Sequence, residues 1–169
     1  MRDYHFIPDP EFHKMKDGNE FVEYSSYGKE HKTYFGTSVT AINDVVQQGR
    51  NLLIDADTIT ALNLTNQLTK SAVVVIDIFI SPVGPIDLLM GQHNKATDIL
   101  RKRMIERQRD EQKDIEGKTR QAHRHLARAD QFSYFVFNED NKLASAIQEI
   151  DDYISEHLVL DSKLRIPVG

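Results

Sequence analysis

Apolar and polar positions along the chain fall into short blocks whose spacing switches between a strand-like period of two and a helix-like period of three to four. Residues 3–7 read as a short strand stopped by Pro8, followed by the helix start Asp9-Pro10-Glu11. There the Asp side chain can cap free amides, Pro suits the first helical position, and Glu favours the positive end of the helix dipole. Gly18 is expected to end this helix in a left-handed backbone. Residues 21–25 and 32–35 are aromatic-rich extended segments, predicted to form a hairpin around Tyr27-Gly28. Ser38 then caps a helix with Val39, Ile42, Val45 and Val46 on one stripe, ended by Gly49.

The run Leu52-Leu53-Ile54-Asp55 has the form of a buried parallel strand. A polar-capped helix is predicted over residues 58–68, with Ile59, Leu62 and Leu64, and the strongest strand over 73–80, stopped by Ser81-Pro82. Residues 82–95 read as loop with one apolar turn at 86–90. A long charged helix is expected from Thr97-Asp98, carrying Leu100, Met104, Ile105 and Ile115, with a break at Gly117. Residues 131–137 form an aromatic strand, and Leu143, Ile147, Ile150 and Ile154 share one face of a last helix. From Leu158 onward no periodicity is evident.

Strands alternating with helices imply right-handed crossovers and a parallel sheet, hence an α/β fold with helices on both faces. The aromatic first quarter interrupts the alternation and reads as a small antiparallel lobe. With 169 residues, 40% hydrophobic and 28% charged, the chain suits one domain with a real core.

Charge and residue types then exclude several functions. The formal net charge of −5 argues against a nucleic-acid partner, because phosphate contacts need clustered Lys and Arg. The basic run over residues 101–109 is interrupted by the acid Glu106 and reads as a solvated helix face. No cysteine is present, which removes disulfides, thiolate nucleophiles and Cys-ligated zinc. The longest apolar stretch, 72–80, is interrupted by Asp77 and falls short of a membrane span of about 18 residues. The N-terminus has no signal-peptide character, so a cytoplasmic location is expected. The seven histidines lack a metal-ligand spacing, and no metal site is expected in the protein itself.

Taken singly, the polar candidates are unremarkable. Glu23 reads as a solvated strand residue, Tyr4 and Tyr34 as half-buried aromatics, and Asp55 and Asp57 as strand-end and helix-cap acids. Arg103 reads as a solvent-facing helix residue and Asn138 as a turn former. Taken together and in order they form a pattern. Asp3-Tyr4-His5-Phe6, Glu20-Phe21-Val22-Glu23-Tyr24, Tyr34-Phe35-Gly36-Thr37-Ser38 and Leu53-Ile54-Asp55-Ala56-Asp57 are followed by Ile78-Phe79-Ile80-Ser81-Pro82, Arg103 and Asn138-Glu139-Asp140. In order and spacing this series resembles guanylate kinases and the guanylate-kinase-like domains of membrane-associated scaffold proteins, over roughly residues 2–158.

The resemblance implies a P-loop-kinase-like parallel sheet and transfer of phosphate from ATP to GMP. It implies a partial domain over 1–158, with a GMP-binding lobe at about 3–37, a core at 38–81, a lid region at 82–97, a C-terminal core at 98–158 and a tail at 159–169. Tyr4 would contact the GMP phosphate, Glu23 would accept from guanine N1–H and N2–H, and Thr37 would offer a hydroxyl to the base. Asp57 would close the base pocket with Asp55 beside it, Arg103 would reach the transferring phosphates, and Asn138 would lie near the adenine. Magnesium would arrive with ATP. Physical chemistry agrees with the base assignment: a fixed carboxylate matches the N–H edge of guanine and would be left unpaired by adenine.

The departures matter equally. The family's nucleotide loop, a Gly-rich turn ending Gly-Lys-Ser or Gly-Lys-Thr, is not found, nor is the arginine segment that precedes the Asp-Tyr block. Phe35 stands where the enzymes usually carry Tyr. Leu88 and Gln92 occupy lid positions normally held by arginines. Phosphoryl transfer rests on electrostatic stabilisation, and one arginine is worth about 10³ to 10⁵ in rate. This chain alone is therefore expected to retain a partial GMP pocket without turnover. The first strand of the sheet is also expected to be missing, which would leave the fold marginally stable or completed by a partner. Two alternatives stand beside that reading: an interaction module that receives a peptide in the former nucleotide groove, and a fragment of an active full-length kinase.

Overall fold

The computed structural model describes residues 5–27, 33–69, 73–109 and 111–164, the side chains of Tyr27 and of 159–164 excepted. The chain divides into two compact units, Met1–Val73 and Val74–Gly169.

In the first unit, helix α1 (Asp9–Asp17) begins at Pro8, whose carbonyl accepts from the amides of Glu11 and Phe12. No side chain caps this helix, so Asp9 is its first residue rather than its cap. The acids Asp9 and Glu11 do occupy its first turn, where the dipole favours them. Gly18 ends the helix at an ordinary φ of −80°, and the left-handed residue is Asn19, at φ 55°. Asn tolerates that conformation through local hydrogen bonding, which the expectation for Gly18 overlooked. Residues 5–8 have no regular structure, and Phe6 is exposed, so the described part of the expected first strand is not one.

Strands β1 (Phe21–Tyr27) and β2 (Thr33–Ser38) pair antiparallel as the aromatic pattern predicts, with a register shift between Phe21 and Glu23. The turn expected at Gly28 lies outside the described residues. Phe12 of α1 stacks on Phe21 at 4.7 Å and on Tyr34 at 5.1 Å between ring centroids, fastening the helix to the sheet. Gly36 permits this: a Cβ there would come within 2.8 Å of the Phe21 ring.

Helix α2 (Val39–Gln47) starts at Ser38, whose hydroxyl accepts from the Ala41 amide, and Gly49 follows its end at φ 65°. Helix α3 (Thr58–Leu68) is capped by Asp57. Val22, Ile42 and Leu64 form the buried core, flanked by Val39, Ile54 and Leu68. Each such side chain contributes roughly 1.5–3 kcal/mol by leaving water. The strand expected over 52–55 is absent: residues 50–57 have no regular structure, and Leu53 is 89% exposed. An apolar run becomes a buried strand only where neighbours cover both faces, and here only Ile54 reaches the core.

In the second unit, β3 (Ile78–Ser81) and β4 (Tyr134–Phe137) run parallel, with Ile78 opposite Tyr134 and Ser81 opposite Phe137. The strand is shorter than the apolar run because Asp77 is buried and fixes the entry: its carboxylate accepts from the Ser133 amide at 2.8 Å, and its carbonyl accepts from Tyr134. Residues 74–77 lie before that anchor without regular structure.

Helix α4 (Pro85–Leu89) is the predicted apolar turn. The long charged stretch is two helices, α5 (His93–Glu106) and α6 (Gln112–Leu126), packed on one another. The break falls between them, where Gln108 takes φ 51°, and Gly117 lies inside α6. Burial of Ile115 and Leu126 outweighs the cost of about 1 kcal/mol for a helical Gly. Helix α7 (Leu143–Leu164) continues past Leu158. Phe79, Val83, Ala96 and Leu126 make the core, with Leu88, Ile99, Phe132 and Phe135 packed around it.

The fold is thus mixed α/β with a parallel pair of strands and a separate antiparallel pair. The wider parallel sheet expected from the alternation is not seen among the described residues, which carry two two-stranded sheets. No described helix is long and apolar enough to cross a membrane.

Candidate functional site

In the first unit, strand register brings two of the expected site residues together. Glu23 on β1 lies opposite Thr37 on β2, and the Thr37 hydroxyl donates to Glu23 Oε1 at 2.7 Å. The next pair, Ser25 opposite Phe35, shares the same face, because side chains two residues apart along a strand point the same way. Glu23 and Thr37 are half-buried, and Phe35 is exposed at the edge of this face. One hydrogen bond to a neutral hydroxyl leaves the carboxylate with spare acceptor positions. A flat edge carrying two N–H donors is the chemical complement of such a group.

Asp57 takes its position from helix α3. Its Oδ1 accepts from the amides of Ile59 and Thr60 at 2.9 and 3.0 Å, so the helix-cap role is real, while Oδ2 makes no hydrogen bond among the described residues. Helix α3 packs on β1 through Leu64 against Val22. Asp55 is exposed in the irregular segment before the cap rather than at a strand end. No hydrogen bond joins Asp55 or Asp57 to Glu23 among the described residues. Tyr4 lies outside the described residues.

In the second unit, Arg103 in the last turn of α5 reaches the connection between β4 and α7. Its Nε and Nη2 both donate to Asp140 Oδ1, at 2.9 and 2.6 Å, and Nη2 also donates to the Asn138 carbonyl at 2.8 Å. Arg103 is therefore not the freely solvated residue that its charge pattern suggests. The Asn138 amide donates to the Ser81 carbonyl at 2.9 Å, tying this connection to the end of β3. Arg103, Asn138 and Asp140 thus gather at the carboxyl end of the parallel strands, where open α/β sheets bind ligands. In the sequence Asp140 stands out only as part of the Asn138-Glu139-Asp140 block. Thirty-seven residues separate it from Arg103, and no local spacing could reveal the partnership.

The tripeptide Gly117-Lys118-Thr119 matches the last three residues of a phosphate-binding loop. The structure rules out that use. The tripeptide sits inside continuous helix α6, Gln112 stands where the loop's first Gly belongs, and the Thr119 hydroxyl donates to the Ile115 carbonyl at 2.7 Å. The residues present do not fit a cradle for Mg-ATP phosphates there. Among the described residues no three His, Cys, Asp or Glu side chains cluster to hold a metal. An open groove of about 790 Å³ runs along α7 beside β4, rimmed by Glu149, Asp152 and Glu156. It contains none of the candidate residues. Within it Tyr134 stacks on Tyr153 at 3.6 Å and donates to Glu149 at 3.2 Å, and burial, followed by the Glu149 charge, raises the Tyr134 phenol above its ordinary value near 10.

Comparison with known proteins identifies the family. The family model described as guanylate kinase matches residues 1–157. A guanylate kinase of Bartonella henselae is 28% identical over 154 residues, covering 90% of this chain and 60% of that protein. One from Bartonella quintana is 29% identical over 155 residues, covering 90% and 61%, and one from Francisella tularensis is 25% identical over 160 residues, covering 93% and 72%. The chain spans about three-fifths of the length of the two Bartonella relatives. On the match of a single family model to nearly its whole length, this chain belongs to the guanylate kinase family.

Proposed function

We propose that the chain recognises GMP, with Glu23 accepting from guanine N1–H and N2–H and the Thr37 hydroxyl bonding the base edge. The observation that carries this reading is the 2.7 Å hydrogen bond between Thr37 and Glu23 across adjacent strands. It holds the carboxylate in one orientation before a ligand arrives, which lowers the ordering cost of binding. Asp57 closes the base pocket through its spare oxygen, with Asp55 next to it, and Tyr4 contacts the GMP phosphate. Phe35 lacks the hydroxyl usual at that place. A hydroxyl bonding a charged phosphate is worth roughly 1.5–3 kcal/mol, so GMP should bind about ten- to a hundredfold more weakly than a Tyr-containing site would allow.

The reaction that this site serves is phosphate transfer from Mg-ATP to GMP, a reading supported by relatives that are named guanylate kinases. Arg103 serves the transferring phosphates and Asn138 the adenine side. Within these 169 residues no Gly-rich loop cradles the ATP phosphates, and residues 82–97, read as the lid, carry no arginine. The chain by itself is therefore a GMP-binding domain with no appreciable turnover. A longer polypeptide that supplied both the loop and the missing arginines would restore transfer.

A second reading draws on the exposure of Leu53, 89%, and Leu52, 45%, beside Asp55. Apolar side chains left open next to the pocket suit a peptide partner, as in an interaction module. Isothermal calorimetry with GMP, and AMP as control, tests the first reading. Selective GMP binding supports it. A folded chain that binds neither nucleotide sinks it and leaves the peptide reading in front.

A further inference from the structure

We propose that Asp140, to which nothing so far assigns a role, is the positioning residue for Arg103, and that together they make a phosphate-oxygen contact at the carboxyl end of the parallel strands. The proposal rests on the phosphate-side reading of Arg103 given above. A guanidinium has five N–H donors. The Nε–H and one Nη2–H go to Asp140 Oδ1, and the second Nη2–H goes to the Asn138 carbonyl. The two donors on Nη1 have no hydrogen-bond partner among the described residues, and the side chain retains 26% exposure.

An arginine fixed in this way is oriented without being spent. Its Nε edge is held, its Nη1 edge is presented to solvent, and its long side chain has already lost the rotamer freedom that binding would otherwise cost. The anchor is itself held. Asn138 donates its amide to Ser81, and Ser81, almost fully buried at the end of β3, accepts from the Val83 amide through its hydroxyl at 3.2 Å. The guanidinium is thereby referenced to the ends of both strands rather than to a loose loop. Planar nitrogen donors in a fixed orientation suit the oxygens of a phosphate chain.

The sign of one substitution separates positioning from plain electrostatics. Neutralising an acid beside an anion site strengthens anion binding if only charge matters. If Asp140 positions Arg103, Asp140→Asn weakens it instead. The probe is inorganic tripolyphosphate, titrated by calorimetry at low salt into the full chain and into Asp140→Asn, Asp140→Glu and Arg103→Lys, with melting curves showing that each is folded. The expected result is binding by the unsubstituted chain, weaker by about tenfold or more in Asp140→Asn and Arg103→Lys and partly restored in Asp140→Glu. Equal or tighter binding by Asp140→Asn overturns the proposal, since Asp140 would then merely compete with the anion. No binding by the folded unsubstituted chain overturns it as well, while GMP calorimetry judges the guanine site of the first unit separately. Should Asp140→Asn unfold the chain, side-chain nitrogen NMR of Arg103 in the unsubstituted chain decides. Tripolyphosphate that shifts the Nη1 protons and leaves Nε–H protected supports positioning, and release of Nε–H contradicts it.

Discussion

The two units solve the placement of a charged side chain in different ways. In Met1–Val73, Glu23 is set by the register of two neighbouring strands and by a hydroxyl fourteen residues away, and its side chain makes no other hydrogen bond among the described residues. In Val74–Gly169, Arg103 is set by a connection thirty-five to thirty-seven residues away, with three of its five donors already committed. A short antiparallel pair orients a ligand acceptor cheaply, because pairing and placement are the same event. A helix-borne arginine needs a second element to hold it, and that element depends on the core beneath it.

The largest expected effect tests that dependence. Phe79→Ala should destabilise the second unit by about 3–5 kcal/mol, since Phe79 is a buried core ring in contact with Phe132 and Phe135. Hydrogen exchange should accelerate at the β4 amides, and at the Asn138 amide with them, while the β1 and β2 amides keep their protection. Equal loss of protection in both units would break the contrast drawn between them.

A middling effect sharpens the account of the first unit, where Asp57 is both cap and candidate ligand. Asp57→Ala should cost about 0.5–2 kcal/mol of stability by leaving the Ile59 and Thr60 amides uncapped. Asp57→Asn preserves the cap and should melt close to the unsubstituted chain, yet bind GMP more weakly. If Asp57→Asn binds GMP unchanged, Asp57 is a cap alone.

The smallest effect concerns the acidic groove of the second unit. Because the folded-state value of Tyr134 lies above its unfolded value near 10, the neutral phenol contributes stability that is fully present below pH 10 and lost as the pH rises through the folded value. Alkaline absorbance titration should show one phenol ionising late, and Tyr134→Phe should remove that late component. A titration in which Tyr134→Phe removes an ordinary component instead would contradict the assigned environment.

What could be read from sequence follows the range over which each feature is decided. The Ser38 and Asp57 caps, the left-handed Gly49 and the aromatic hairpin are fixed by near neighbours, and all were legible. The contact between Glu23 and Thr37 is not among them: the sequence offers the two residues as separate candidates, and only the strand register joins them. The misread features depend on distant partners. Residues 52–55 look like a buried strand but find no strand to pair with among the described residues, and the charged stretch breaks at Gln108 rather than at Gly117, which lies within a helix that buries Ile115 and Leu126. Gly117-Lys118-Thr119 resembles the end of a phosphate loop, yet its backbone is satisfied within a helix. Asp140 carries no local signal of Arg103 at all.

The guanine assignment to Glu23 is tested most directly by calorimetric titration of GMP into the chain and into a folded Glu23→Ala variant, with AMP as control. Two hydrogen bonds to a carboxylate, each worth roughly 1.5–3 kcal/mol, predict GMP binding that exceeds AMP binding by a hundredfold or more and a comparable loss in the variant. GMP binding of equal strength in Glu23→Ala, or equal binding of GMP and AMP by the unsubstituted chain, would contradict the assignment.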